Sequence, residues 1–132
     1  MTLMSNLDKD SILNTLRRMF NDVVSMSLCE SAGETIIFVL RSKLGEDPFE
    51  VFWERPKAVY EELKGIFGDG TNILINLWVK AFKQRAEANV DPEKFLHFLQ
   101  RGDYESIQEV RRMLTELVVA YSKLCGEKRG EE

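Results

Sequence analysis

The sequence predicts an all-α protein, folded as a single compact bundle of about six or seven helices. Apolar residues recur at helical spacing along most of the chain, and all three prolines stand where a helix can begin. No segment alternates apolar and polar residues over the length of a strand. The 132 residues, of which 44% are hydrophobic and 30% charged, suit one globular domain.

Caps and apolar stripes together define the expected helices. The predicted helix starts are Asp47-Pro48, Arg55-Pro56, Asp91-Pro92 and the capping-box pattern Ser31-Ala32-Gly33-Glu34. Gly102 and Gly126 follow periodic apolar segments and suit the left-handed residue past a helix end. The predicted helices cover residues 9–26, 32–44, 48–54, 57–67, 71–88, 92–100 and 104–124.

The helix over 71–88 is the most apolar one. Within 73–82 every residue except Asn76 and Lys80 is hydrophobic, so we expect this helix at the centre of the bundle. The preceding turn contains Gly68 and Gly70, which we expect to adopt backbone angles that other residues resist. We expect one domain over 1–125, followed by a flexible charged tail over 126–132.

Charge and hydropathy limit the class of protein. The net charge of −4 argues against a protein whose whole surface binds phosphates. Apolar runs such as 36–40 are far shorter than the ~20 residues that span a bilayer. The first residues have neither a basic start nor an apolar stretch, so no signal peptide is expected. These features predict a cytoplasmic protein without membrane contact.

The two cysteines, Cys29 and Cys125, leave two alternatives open. Both have apolar neighbours, which favours buried reduced thiols. A single disulfide joining the first and last helical regions is the other interpretation. A zinc site would need further ligands, and His97 is the only histidine.

No residue pattern indicates catalysis or a cofactor. The glycines at 65, 68 and 70 follow a helix and lack the Gly-Lys-Ser/Thr of a phosphate loop. His97 has no nucleophile at a useful spacing, and the acidic residues of 46–54 are expected on a solvated face. The sequence therefore predicts a protein that is not an enzyme and that needs neither a metal nor a cofactor.

Residues 28–82 carry a family resemblance. The pattern consists of Trp53 to Pro56, the segment Val59-Tyr60-Glu61-Glu62-Leu63, the joint Ile66-Phe67-Gly68-Asp69-Gly70 and an apolar helix through Trp78. It resembles the small helical output domains of archaeal signalling proteins, the type named after Nitrosopumilus. The resemblance implies an archaeal regulatory protein that acts through protein–protein contacts, and it transfers no activity.

Two apolar features are candidates for such contacts. Phe49, Phe52 and Trp53 form either an aromatic anchor for a partner or a lid over the protein's own core. The stripe of the last helix, which includes Leu117 and Tyr121, forms either a homodimer seam or part of the monomer's core. The predicted function is therefore a regulatory or scaffold protein that binds a protein partner or a second copy of itself.

The alternative function is DNA binding by a transcriptional regulator. Helices 57–67 and 71–88 joined by a glycine turn would form a helix-turn-helix. The second helix carries polar side chains that can contact bases or phosphates, namely Asn72, Asn76, Lys80, Lys83 and Gln84.

Overall fold

The computed structural model describes residues 8–27 and 30–130, and this part of the chain contains seven helices and no strand. The helices are α1 (Lys9–Ser27), α2 (Glu30–Leu44), α3 (Pro48–Glu54), α4 (Pro56–Phe67), α5 (Gly70–Ala86), α6 (Pro92–Arg101) and α7 (Tyr104–Gly130). The prediction of an all-α bundle of six or seven helices is confirmed.

Aspartates begin four of the helices by accepting hydrogen bonds from the first turn. The pairs are Asp8 with Ser11 N (2.8 Å), Asp47 with Phe49 N (3.1 Å), Asp91 with Glu93 N (3.0 Å) and Asp103 with Ser106 N (3.4 Å). Each carboxylate satisfies a donor that the helix itself leaves without a partner. The Asp-Pro pairs predicted to begin α3 and α6 are confirmed.

Two predicted helix boundaries are wrong. Ser31 was expected before α2, but the helix already includes Glu30, and Thr35 Oγ1 donates to the Ser31 carbonyl (2.8 Å). Gly126 was expected past the end of α7, but the helix continues to Gly130. A glycine costs about 1 kcal/mol in a helix, which the good helix formers of 127–129 can offset.

The turn between α4 and α5 depends on one glycine. Gly68 has φ 60° and ψ −135°, a combination that a side chain disfavours. Gly70 does not have a positive φ and is simply the first residue of α5, so the expectation for it is wrong. Thr71, which is completely buried, closes the turn because its Oγ1 donates to the Leu63 carbonyl at 3.1 Å.

The core lies where α1, α5 and α7 meet the shorter helices. α1 contacts α2, α3, α5 and α7, while α5 contacts α1, α4, α6 and α7. Fully buried side chains from several helices fill the interior, among them Leu13, Met19, Val79, Leu99, Val110 and Leu117. Within the described ranges, no helix is long and apolar enough to cross a membrane.

Like α1 and α4, α5 contacts four other helices. It is not enclosed on every side, however, because Ile73 is 68% exposed and Leu77 is 58% exposed. The hydrophobic surplus of this helix is therefore divided between the core and one outer face.

Candidate functional site

The outer face of α5 is the most distinctive surface of the described residues. Ile73, Leu77, Lys80 and Gln84 are all exposed, and their spacing of three or four residues places them along one stripe. Single exposed apolar residues are common on proteins, but Ile73 and Leu77 are neighbours one helical turn apart. We call these four residues the α5 outer face.

The rotation of α5 about its axis is fixed by contacts on its flank and on its inner side. Tyr60 Oη donates to Asn72 Oδ1 at 2.6 Å, and Gln100 Nε2 donates to Tyr60 Oη at 3.0 Å. Trp78 and Val79 are buried in the core. With these sides of the helix engaged, Ile73 and Leu77 are directed outward.

Opposite charges flank the apolar centre of this face. Asp69 is exposed directly before α5, and Lys80 is exposed one turn beyond Leu77. The ion pairs among the described residues involve neither of them. The order along the surface is therefore negative, apolar, positive.

The residues of the predicted DNA-binding set lie on one side of α5 but differ in exposure. Lys80 and Gln84 belong to the α5 outer face, whereas Asn72, Asn76 and Lys83 are half-buried on its flank. Asn72 Oδ1 already accepts the hydrogen bond from Tyr60. The middle of the exposed stripe is apolar, where a helix that reads bases would need donors and acceptors.

The aromatic residues of α3 pack onto the protein itself. Phe49 lies 5.7 Å from the Phe20 ring, and Phe52 lies 6.2 Å from the Phe95 ring. Trp53 lies under the Arg111 guanidinium at 5.4 Å, and its carbonyl accepts from Arg111 Nε at 2.8 Å. These contacts support the interpretation of α3 as a lid over the core, with all three rings half-buried.

Of the two interpretations of the α7 stripe, the structure supports the one in which it is part of the monomer's own core. Leu117 is 1% exposed and belongs to the core cluster of the monomer. Tyr121 Oη donates to Asp22 Oδ2 at 2.6 Å, which joins the half-buried tyrosine to α1. The α7 stripe closes the bundle against α1, so it does not offer these two residues to a second chain.

The acidic residues at 46–54 form ion pairs that tie α3 to its neighbours. Lys9 Nζ lies 2.9 Å from Glu54 Oε2, and this hydrogen bond lowers the pKa of Glu54 and raises that of Lys9. Arg17 donates to Asp47, and Arg55 pairs with Glu46 at 3.0 Å. A carboxylate that is held ionised by a cation serves as a structural anchor rather than as a general acid.

The structure adds little to the questions of metal and thiol chemistry. Among the residues that it describes, no group of three histidine, cysteine or acidic side chains is placed to hold a metal ion. His97 is exposed on α6, with its ring 5.5 Å from that of Phe98. The alternatives for Cys29 and Cys125 concern side chains outside the described part.

Comparison with known proteins adds no relative. No family model, curated protein or solved structure matches the chain. The resemblance to archaeal output domains therefore stays a prediction, and the case for function depends on the surfaces and interior of the bundle.

Sequence reasoning missed Ile73 and Leu77 as surface residues. The signal was present, because 73–82 is apolar on most sides of the helix. A helix with that excess has either a buried environment on all sides or an unpartnered face.

Proposed function

We propose that this chain is a non-enzymatic regulatory or scaffold module that acts by protein–protein contact through the α5 outer face. The observation that carries the proposal is the exposure of Ile73 and Leu77 on a helix whose orientation is fixed. An apolar pair at the centre of a surface, flanked by charges, has the composition of a small interface. A cytoplasmic signalling role is the setting that the output-domain resemblance favours.

The partner that fits this face best is a second copy of the chain. Two α5 helices can pack antiparallel about a two-fold axis that passes between Ile73 and Leu77. Ile73 of one chain then meets Leu77 of the other. The two-fold symmetry makes this contact occur twice. In the same register Asp69 comes opposite Lys80, so the negative-apolar-positive order complements itself.

Sedimentation velocity over a range of concentrations tests this proposal. We expect the wild-type chain to show a concentration-dependent monomer–dimer equilibrium and Leu77→Glu to be a folded monomer. Phe38→Glu is the matched control, because Phe38 is 69% exposed on α2, away from the proposed contact. It should dimerise like the wild type.

A charge exchange tests the register. Lys80→Asp should weaken the dimer because it places two acidic residues opposite each other, and adding Asp69→Lys should restore the dimer. A wild-type chain that stays monomeric at every concentration, or a dimer that Leu77→Glu leaves intact, would contradict the proposed contact.

Duplex binding separates this proposal from DNA recognition. The proposed module should not change the anisotropy of a fluorescent random duplex, even at low salt. Binding that weakens steeply with salt and is lost in the Lys80→Ala/Lys83→Ala double variant would favour the regulator instead.

A further inference from the structure

The interior of the bundle contains an apolar cavity of about 100 Å³. Its walls come from α1 to α7 and are almost entirely hydrocarbon, with aromatic rings on several sides. Its aromatic lining consists of Tyr60, Trp78 and five phenylalanines, which are Phe20, Phe49, Phe52, Phe82 and Phe95. Native interiors contain few voids larger than a water molecule, so a space of this size calls for an explanation.

Trp78, which lines the cavity, has a buried hydrogen-bond donor without an acceptor. Trp78 is 6% exposed, and its Nε1 is buried and has no hydrogen-bond partner. It is the one such side-chain atom among the described residues. The other polar side chain of the lining, Tyr60, is satisfied because it donates to Asn72 and accepts from Gln100.

An unpaired indole N–H on a residue that lines an apolar cavity favours a particular kind of occupant. A buried tryptophan N–H ordinarily has an acceptor, and leaving it without one costs about 1–3 kcal/mol. Water is a poor occupant because an ordered molecule needs two or more polar partners. Apolar cavities on the order of 150 Å³ bind molecules of the size of benzene, so this smaller space suits about one small ring.

Solvent is separated from the cavity partly by side chains that are themselves half-buried. Phe49 and Phe52 on α3, Ile37 on α2 and Phe82 on α5 line the cavity and retain some exposure. α3 is the shortest helix described. A displacement of these side chains is therefore a route by which a ligand could enter.

We propose that this cavity is a binding site for a small uncharged apolar molecule, about one ring in size, whose single carbonyl or ether oxygen accepts a hydrogen bond from Trp78 Nε1. The hydrocarbon walls select against charge, since a buried ion would have no counter-charge there. The indole N–H favours a ligand with one acceptor oxygen, placed where it can receive this hydrogen bond. The site lies on the inner side of α5 and does not depend on the α5 outer face.

Two isosteric probes test the hydrogen bond directly. Cyclopentanone and methylenecyclopentane have the same shape, but only the ketone has an acceptor. The chain contains two tryptophans, so its indole N–H NMR signals are those of Trp78 and of Trp53, which does not line the cavity. We expect the ketone to shift the Trp78 signal downfield and the hydrocarbon to leave it nearly unchanged, with Trp53 as internal control.

The substitution Trp78→Phe measures how much the hydrogen bond contributes to ketone affinity. It keeps an aromatic ring and removes the donor, so both probes should still enter. The ratio of ketone affinity to hydrocarbon affinity should fall about tenfold, the effect of one hydrogen bond to a buried donor. Comparing ratios cancels the change in cavity size that the substitution causes.

Each other outcome overturns the proposal. If neither probe shifts the signals of the lining methyl groups in the wild type, the cavity is not a binding site. If both probes bind but the Trp78 N–H signal stays in place, the indole is already satisfied inside the fold, where the Phe20 ring lies 5.3 Å away in an edge-on arrangement. If Trp78→Phe does not fold, the wild-type indole shift alone decides.

Discussion

Leu117→Ala is the substitution that best tests where the α7 stripe packs. Leu117 is 1% exposed and borders the core cavity. The change removes three buried carbons, which at about 0.8 kcal/mol each gives a transfer cost of about 2.4 kcal/mol. The new space would join the existing cavity and would not be refilled, so we expect a total loss of about 3–4 kcal/mol. This is a large part of the ~5–15 kcal/mol that stabilises a domain.

The assay is urea unfolding followed by far-ultraviolet circular dichroism, with Leu77→Ala as the matched control. Leu77 is the same residue type at 58% exposure, so at concentrations where the chain is monomeric its truncation should change the free energy of unfolding by only about 0.5 kcal/mol. Near-equal small effects at both positions would refute the placement of Leu117 in the core. A loss of stability in Leu117→Ala that disappears when the protein is diluted would also refute this placement, because it would indicate a dimer seam.

Three further perturbations test local features of the fold. Thr71→Val removes the buried hydroxyl that donates to the Leu63 carbonyl, and urea unfolding should show a loss of about 1–2 kcal/mol. Gly102→Ala forces a side chain onto a residue with φ +75°, which should cost about 1–2 kcal/mol in the same assay. The Ser106 hydroxyl lowers the pKa of Asp103, so this carboxylate stabilises the fold above the ordinary Asp pKa of about 3.9 and less as the pH falls through the lowered value. Ser106→Ala should therefore make stability depend less steeply on pH in that acidic window.

Matched variants keep these tests specific. Thr71→Ser retains the hydroxyl and should lose less stability than Thr71→Val. Gly65→Ala is in an open helical position and should stabilise the chain slightly, in contrast to Gly102→Ala. If Ser106→Ala and the wild type lose stability in parallel from neutral to acidic pH, the hydrogen bond to Asp103 is not the cause.

Local chemistry explains why most helix starts could be predicted. An aspartate that caps a first-turn proline, as at 47–48 and 91–92, acts within a few residues and needs no tertiary information. The prediction for Gly126 was wrong because a glycine only weakens a helix. Whether it ends one depends on the residues that follow.

The functional features depend on packing, which periodicity does not encode. The apolar excess of α5 was visible, but the side left exposed depends on contacts such as the hydrogen bond between Tyr60 and Asn72. The same limit explains why the α7 stripe with Leu117 left two interpretations open. The cavity beside Trp78 is space that the surrounding side chains leave unfilled. It depends on how they pack together, so no sequence pattern predicts it.

An intermolecular contact between methyl groups would test the central claim most directly. In a mixture of two samples, one with methyl-labelled isoleucine and the other with methyl-labelled leucine, a filtered nuclear Overhauser experiment detects only contacts between chains. We expect a contact between Ile73 of one chain and Leu77 of the other, lost in Leu77→Glu. An interchain contact that involves other residues would contradict the α5 outer face as the interaction surface. So would the absence of any interchain contact at the highest protein concentrations.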